Sequence, residues 1–118
     1  MIDGFLESAL LGACPGLRDG WSAVRRTYPG KGAPDEKAFL TQVRLHVVGL
    51  LAAQRVAEFA RFARVMERLL GEADPMLDDL LREGLLEPLA ADLADAGIPH
   101  VQVEPYLGPR TAVALLHR

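Results

Sequence analysis

The sequence has a single cysteine, Cys14, among its 118 residues. One cysteine cannot form an intrachain disulfide, so the cross-linked framework of a small secreted domain is excluded. We therefore expect the protein to act in a reducing cytoplasm. Because Cys14 ends an apolar helical pattern and has no histidine close to it in sequence, we interpret it as a packing residue rather than a nucleophile.

Long apolar runs and an excess of basic residues are also absent. The longest apolar stretches, around residues 47–53 and 112–116, fall far short of the roughly 20 residues that a membrane-spanning helix needs. The N-terminus lacks the basic region that begins a signal peptide. The formal net charge of -3 differs from the clear basic excess of nucleic-acid-binding proteins. We expect neither a membrane segment nor a nucleic-acid partner.

Motifs for catalysis, phosphate binding and metal binding are missing as well. The few serines and threonines lie outside any nucleophile-elbow context, and Gly30-Lys31-Gly32 lacks the full pattern of a phosphate-binding loop. His46, His100 and His117 are far apart, and none has a second histidine or cysteine at the short spacing typical of metal sites. We expect no enzymatic activity, no metal and no cofactor.

Apolar residues at helical spacing cover most of the chain. Residues 35–70 contain no proline and only one glycine. A single helix over that range would be about 54 Å long at 1.5 Å per residue, too long for a domain this small, so we expect a turn near residues 52–55. The predicted buried positions are Phe39, Leu40, Val43, Val47, Leu50 and Leu51, followed by Val56, Phe59, Ala63, Met66 and Leu70, with Phe62 and Leu69 flanking the second set.

Two shorter helices are predicted before this region. Residues 3–13 and 18–28 both show apolar intervals of three and four, and Pro15-Gly16 separates them. Four glycines and prolines then crowd into residues 29–34, which predicts a loop.

The C-terminal half is predicted to contain two short helices and an extended segment. Asp74-Pro75 is a helix start signal, and Met76, Leu77, Leu80 and Leu81 are expected to face inward. Gly84 is expected to end this helix, and Pro88 to begin another that runs to Gly97. Two valines that alternate with polar residues between Pro99 and Pro105 predict extended structure.

The final residues, 110–117, fit either a helix or a strand. Together these patterns predict an all-α protein with a single helical domain over residues 1–118. We expect a compact helical bundle or an irregular HEAT-like stack of five to six helices, with a short extended C-terminal segment.

Basic residues are concentrated on one helix. Arg61, Arg64 and Arg68 lie three and four positions apart, which aligns them along one side. They form either a face that binds an anion or a plain solvent face interlaced with Glu58 and Glu67.

Acidic residues are concentrated just downstream. Residues 72–95 contain eight acids against Arg82 alone. This region is either a solvent face or a docking surface for a basic protein. The candidate docking residues are Glu72, Asp78, Asp79, Glu83, Asp92 and Asp95.

Two stretches, FARFARVMERLLGEADPMLDDLLREGLLEPLAADL at 59–93 and PYLGPRT at 105–111, resemble a bacterial family of small uncharacterised helical domains. Some members of this family resemble polymorphic-toxin immunity proteins. The resemblance implies a bundle or HEAT-like domain that binds protein, without catalytic residues. It also implies that Glu67 and Glu87 are structural and accept hydrogen bonds from exposed helix N–H groups. The family-like structural positions are Glu67, Gly84, Glu87, Tyr106, Gly108 and Pro109.

Two hypotheses for function follow. The first is a non-enzymatic bacterial protein-binding domain, for which an immunity protein that neutralises a cognate toxin is one form. The alternative is a regulatory domain that binds an anionic small molecule through Arg61, Arg64 and Arg68. A homodimer is compatible with either hypothesis.

Overall fold

The computed structural model describes residues 4–26 and 36–116, and these residues are almost entirely helical. No strand occurs within the described ranges, which confirms the all-α prediction. The predicted loop at 29–34 lies outside them. The elements are α1 (Gly4–Ala13), α2 (Leu17–Arg26), α3 (Glu36–Ala52), α4 (Val56–Glu72), α5 (Pro75–Asp79), a π-helical turn (Leu80–Leu86), α6 (Glu87–Asp95), α7 (His100–Val103), a 3-10 turn (Glu104–Tyr106) and α8 (Pro109–Leu116).

The two long helices, α3 and α4, form the centre of the bundle. The predicted buried positions of α3 are all buried, and those of α4 are buried except for Val56, which is half-buried. α1 and α8 pack against α4, while α2 and α6 pack against α3. The Cα radius of gyration is 13.7 Å, close to the roughly 13.5 Å expected for a compact chain of this length.

The predicted turn between α3 and α4 is confirmed. Gln54 adopts a left-handed conformation with φ 59°. The amides of Gln54 and Arg55 donate to the carbonyl groups of Leu51 and Leu50, at 3.1 and 2.8 Å. This is the Schellman arrangement that ends a helix, and it reverses the chain so that the apolar faces of α3 and α4 meet.

The prediction of two separate helices around Gly84 is wrong. α5, the π-helical turn and α6 follow one another without a break. Within this run the amide of Glu87 donates to the carbonyl of Arg82, five residues earlier. The wider turn accommodates Pro88, which has no N–H and would clash with a carbonyl in regular α-helix. Met76, predicted to face inward, is 82% exposed.

The predicted extended segment near residues 99–105 is also wrong, because these residues form α7 and the 3-10 turn. Val103 is buried but Val101 is 74% exposed, so the two valines do not share an apolar face. The side-chain amide of Gln102 donates to the carbonyl of Leu51 at 3.1 Å, which joins α7 to the end of α3. Residues 109–116, left open between helix and strand, are helical.

Within the described part of the chain, no helix is both long and apolar enough to cross a membrane.

Candidate functional site

A groove between α1 and α4 carries three arginines, Arg61, Arg64 and Arg68, hereafter the groove arginines. Its volume is about 540 Å³, and all three side chains are exposed. The first and the last are seven positions apart, so their charges are spread over about 10 Å of the helix axis. The groove is lined by Ser8, Ala9, Gly12 and Ala13 from α1 and by Arg61, Arg64, Val65 and Arg68 from α4.

Two of the three carboxylates of α4 that neighbour these arginines in sequence bond elsewhere, and the third, Glu72, is exposed four positions after Arg68. Glu58 is only 5% exposed and bonds to His46. Glu67 bonds to the start of α8. Among the described residues, no carboxylate forms an ion pair with any groove arginine. Glu58 and Glu67 therefore form their bonds away from the groove arginines, and the exposure of all three arginines is compatible with both interpretations of this face.

Glu67 holds α8 against α4. Its carboxylate oxygens accept hydrogen bonds from the backbone amides of Arg110 and Thr111, at 3.2 and 3.0 Å, and from the Thr111 hydroxyl at 3.0 Å. Desolvation alone would raise the pKa of Glu67, but the hydrogen bonds from Thr111 and Arg110 outweigh it and the pKa is lowered. The carboxylate thus satisfies free N–H groups at a helix N-terminus.

Three side chains that can bind a metal ion come together where α1, α3 and α4 meet, two of them buried and one half-buried. It comprises Cys14 just after α1, His46 on α3 and Glu58 on α4. Cys14 is 0% exposed, and His46 Nε2 lies 2.6 Å from Glu58 Oε2. The thiol sulfur of Cys14, a ring nitrogen of His46 and a carboxylate oxygen of Glu58 all lie within 4.8 Å of one another. We call these residues the Cys-His-Glu cluster.

The loop after Cys14 fits closely over the cluster. A Cβ atom on Gly16 would lie 2.9 Å from Cε1 of His46 and 3.9 Å from Oε2 of Glu58. Only glycine therefore lets the backbone approach the imidazole ring at this distance. The expectation of no metal rests on spacing along the chain, whereas folding brings these three residues together from separate parts of the sequence.

The protonation of Cys14 limits what the cluster can do. Burial raises the pKa of the Cys14 thiol to about 12, the Glu58 carboxylate adds to this increase, and the Arg61 guanidinium opposes it. Because a nucleophilic cysteine needs its thiolate form at neutral pH, this thiol is unsuited to nucleophilic catalysis. Thiol, imidazole and carboxylate groups are instead the three ligand types that zinc binds.

A second, smaller cavity lies beside Glu58 and shares the lining residue Arg61 with the groove. Its volume is about 340 Å³, and it contains Glu58 and Arg61 in its lining, together with Arg55 and neighbouring residues of the turn between α3 and α4. A nitrogen of Arg55 lies 3.5 Å from the second oxygen of Glu58. Arg61 lines both cavities, so it stands between the groove and the Cys-His-Glu cluster.

The candidate acidic docking residues are divided between ion pairs and open surface. Asp92 binds Arg44 at 2.7 and 3.1 Å, which connects α6 to α3. Asp78 binds Arg82 within the α5 region at 2.9 Å. The exposed members are Glu72, Asp79, Glu83 and Asp95.

The other family-like positions mostly serve packing. A Cβ on Gly84 would lie 3.2 Å from Leu40, so glycine lets the π-helical turn approach α3. Tyr106 meets Phe59 edge to face with ring centroids 6.0 Å apart. Gly108 faces the carboxylate of Glu67. Glu87 is the first residue of α6 and Pro109 the first residue of α8, and both are exposed.

Of the remaining histidines, His100 is exposed on α7 and His117 lies outside the described residues.

Comparison with protein-family models, with curated proteins and with solved structures finds no match for this chain. The geometry of the groove and of the Cys-His-Glu cluster is therefore the basis for assigning a function.

Proposed function

We propose that this protein is a non-catalytic binding domain that holds an anionic small molecule in the groove between α1 and α4. The observation that carries the proposal is the set of three groove arginines without a carboxylate partner among the described residues. A guanidinium group presents a planar fork of donors that matches phosphate and carboxylate oxygens. Three such groups along one wall attract and orient an anion.

The size of the groove supports a small ligand with more than one anionic group. Its volume of about 540 Å³ lies within the roughly 300–1,000 Å³ of small-molecule sites. The charges extend over about 10 Å, which suits a nucleotide or a phosphorylated metabolite better than a single inorganic ion. Small side chains on α1 leave room for the ligand, and the Ser8 hydroxyl supplies a hydrogen-bonding group on that wall.

A thermal-shift screen with nucleotides and phosphorylated metabolites tests this proposal. A ligand at about 100 times its Kd stabilises the folded state by about 2.7 kcal/mol, which raises the Tm of a chain this size by roughly 10 °C. The double variant Arg64→Ala/Arg68→Ala removes two groove charges and should lower affinity for any hit at least ~10-fold. Arg18→Ala is the matched control, because Arg18 is an exposed arginine on α2 outside the groove.

Two results would contradict the proposal. One is the absence of a stabilising anion across the whole screen. The other is a hit whose affinity falls equally in the groove variant and in Arg18→Ala, because that pattern would reflect net charge rather than a site.

The second candidate is a protein-binding domain, for which the four exposed acidic residues Glu72, Asp79, Glu83 and Asp95 provide the supporting observation. The family resemblance implies the same class of function, with a toxin as one possible partner. Coexpression with the product of the neighbouring gene tests it: Asp79→Lys/Glu83→Lys should abolish capture, whereas Arg18→Ala should not. Both candidates assume a reducing cytoplasm, which the single cysteine favours.

A further inference from the structure

We infer that Cys14, His46 and Glu58 form a binding site for a divalent transition-metal ion, with Zn²⁺ as the expected occupant. This inference goes beyond anion binding in the groove and does not depend on it. The three side chains come from three separate elements, and their candidate ligand atoms already lie within 4.8 Å of one another. No such group of three occurs elsewhere among the described residues.

The distances in the cluster are close to those of a zinc site. With Zn–S of about 2.3 Å and Zn–N and Zn–O of about 2.1 Å, ligand atoms at tetrahedral angles lie roughly 3.4–3.6 Å apart. His46 Nε2 and Glu58 Oε2 are now 2.6 Å apart, so they must separate by roughly 0.8–1.0 Å. A rotation of the Glu58 carboxylate supplies this movement, and ligand atoms that are as much as 4.8 Å apart must approach each other by about 1.2–1.4 Å.

The charges of the three ligands favour a divalent ion. A neutral imidazole, a thiolate and a carboxylate together carry two negative charges, which Zn²⁺ cancels. Burial makes this balance important, because an uncompensated charge in an apolar interior is strongly unfavourable. Cys14 is fully buried and Glu58 nearly so.

A fourth ligand can reach the ion from solvent. Sites with three protein ligands usually complete their coordination with water or a substrate atom. The cavity of about 340 Å³ beside Glu58 opens on that side of the cluster, between Arg55 and Arg61. The backbone at Gly16 packs directly on the His46 ring, so no side chain intervenes there.

Metal binding at this site must release a proton. The Cys14 thiol loses its hydrogen ion to solvent as the sulfur bonds to the metal. To bind through Nε2, the neutral imidazole must give up its hydrogen bond to Glu58 Oε2 and carry its single proton on Nδ1, which frees the nitrogen and the carboxylate oxygen for the metal.

Cobalt spectroscopy on the full, tag-free chain gives a direct test. After treatment with a chelator, Co²⁺ should bind one per chain and produce the sulfur-to-cobalt charge-transfer absorption in the near ultraviolet. Cys14 is the only cysteine, so this absorption reports on a single residue. Zn²⁺ should displace the cobalt and remove the absorption. Competition with a chromophoric chelator then gives the Zn²⁺ affinity.

Two variants and one control complete the experiment. Cys14→Ser and Glu58→Gln should each weaken Zn²⁺ by more than the ~100-fold that loss of a ligand's hydrogen-bond partner alone can cause. His100→Ala should bind normally, because His100 is exposed on α7. A folded wild-type chain without the charge-transfer absorption would overturn the inference, whether or not the variants fold. Equal Zn²⁺ affinity in wild type and Cys14→Ser would overturn it too.

The outcome is separable from that of the groove. Arg64→Ala/Arg68→Ala should lose anion binding and keep the cobalt absorption, because neither residue contacts the Cys-His-Glu cluster.

Discussion

The contact between Glu67 and Gly108 gives the sharpest test of how α8 is attached to the bundle. A Cβ atom at position 108 would lie 2.5 Å from Cδ and Oε1 of Glu67, far inside the roughly 3.5 Å of normal contact between non-bonded atoms. In Gly108→Ala the Glu67 side chain must therefore move away. It would lose its hydrogen bonds to the amides of Arg110 and Thr111.

The cost can be estimated from the bonds that are lost. Helix caps contribute about 0.5–2 kcal/mol, and hydrogen bonds to a charged group about 1.5–3 kcal/mol. We expect loss of the Glu67 cap to cost about 2 kcal/mol. Alanine is also a poorer N-cap than glycine, which adds up to about 1 kcal/mol for Gly108→Ala. The combined loss of about 3 kcal/mol corresponds to a decrease in Tm of roughly 12 °C.

A double-mutant cycle separates these contributions. In a Glu67→Ala background no carboxylate remains for the new methyl group to displace, so Gly108→Ala should cost only about 1 kcal/mol. The two changes should therefore be non-additive by about 2 kcal/mol in urea denaturation. Additivity to within about 0.5 kcal/mol would refute the reasoning, because it would mean that the two residues do not act through one contact.

The pH dependence of the same contact has a defined sign. The pKa of Glu67 is lowered in the folded protein, so its stabilising contribution is complete above the unfolded value of about 4.3. It is lost as the pH falls through the folded pKa. Wild type should be more stable than Glu67→Gln at pH 7, and the difference should shrink below about pH 4. A difference that stays constant into acid would exclude a role for the charged carboxylate.

Two further substitutions test individual features of the fold. Gln54→Gly should raise the free energy of unfolding by up to about 1 kcal/mol, because Gln54 has a left-handed φ of 59° that glycine adopts without strain. A lower urea midpoint in this variant would contradict that reasoning. Asp92→Asn should cost up to about 1 kcal/mol by weakening its bond to Arg44, and the loss should be smaller in 1 M salt. An equal loss at low and high salt would rule out an ionic origin.

The core was predictable because its signal repeats over many residues. Apolar positions at intervals of three and four recur along both α3 and α4, and the predicted stripes became the centre of the bundle. A single helix over residues 35–70 would be too long for a domain of this size, which predicted a turn where Gln54 now lies.

The wrong secondary-structure predictions concern segments where the sequence pattern covers only a few residues. Two alternating valines between prolines cannot establish a strand, and α7 is connected to α3 by the bond from Gln102 to Leu51, which only the folded chain reveals. At Gly84 and Pro88 the sequence contains two helix breakers, yet a π-helical turn accommodates both. Local propensity was overridden by packing against α3.

The Cys-His-Glu cluster has a sequence signal that differs from metal-ligand spacing. His46 follows Val43 by three positions and precedes Leu50 by four, so a titratable residue occupies a place in the apolar stripe of α3. Glu58 precedes the buried Phe62 by four positions, so it too occupies a place beside the apolar stripe of its helix, α4. A polar residue at such a position must find a partner when it is buried, and the partner here is the other member of the pair.

The same periodicity explains why α4 can serve three different contacts. At about 100° per residue, the groove arginines fall within an arc of roughly 60° on the exposed side of the helix. Glu58 and Glu67 fall roughly 180° apart, at the two borders of the apolar sector. Glu58 consequently meets α3, Glu67 meets α8, and neither lies between the arginines. An acid at i+3 or i+4 from an arginine neutralises it only when the two side chains meet, and tertiary contacts hold Glu58 and Glu67 away from the arginines. Glu72, four positions after Arg68, is the exposed acid of α4 that remains near the groove.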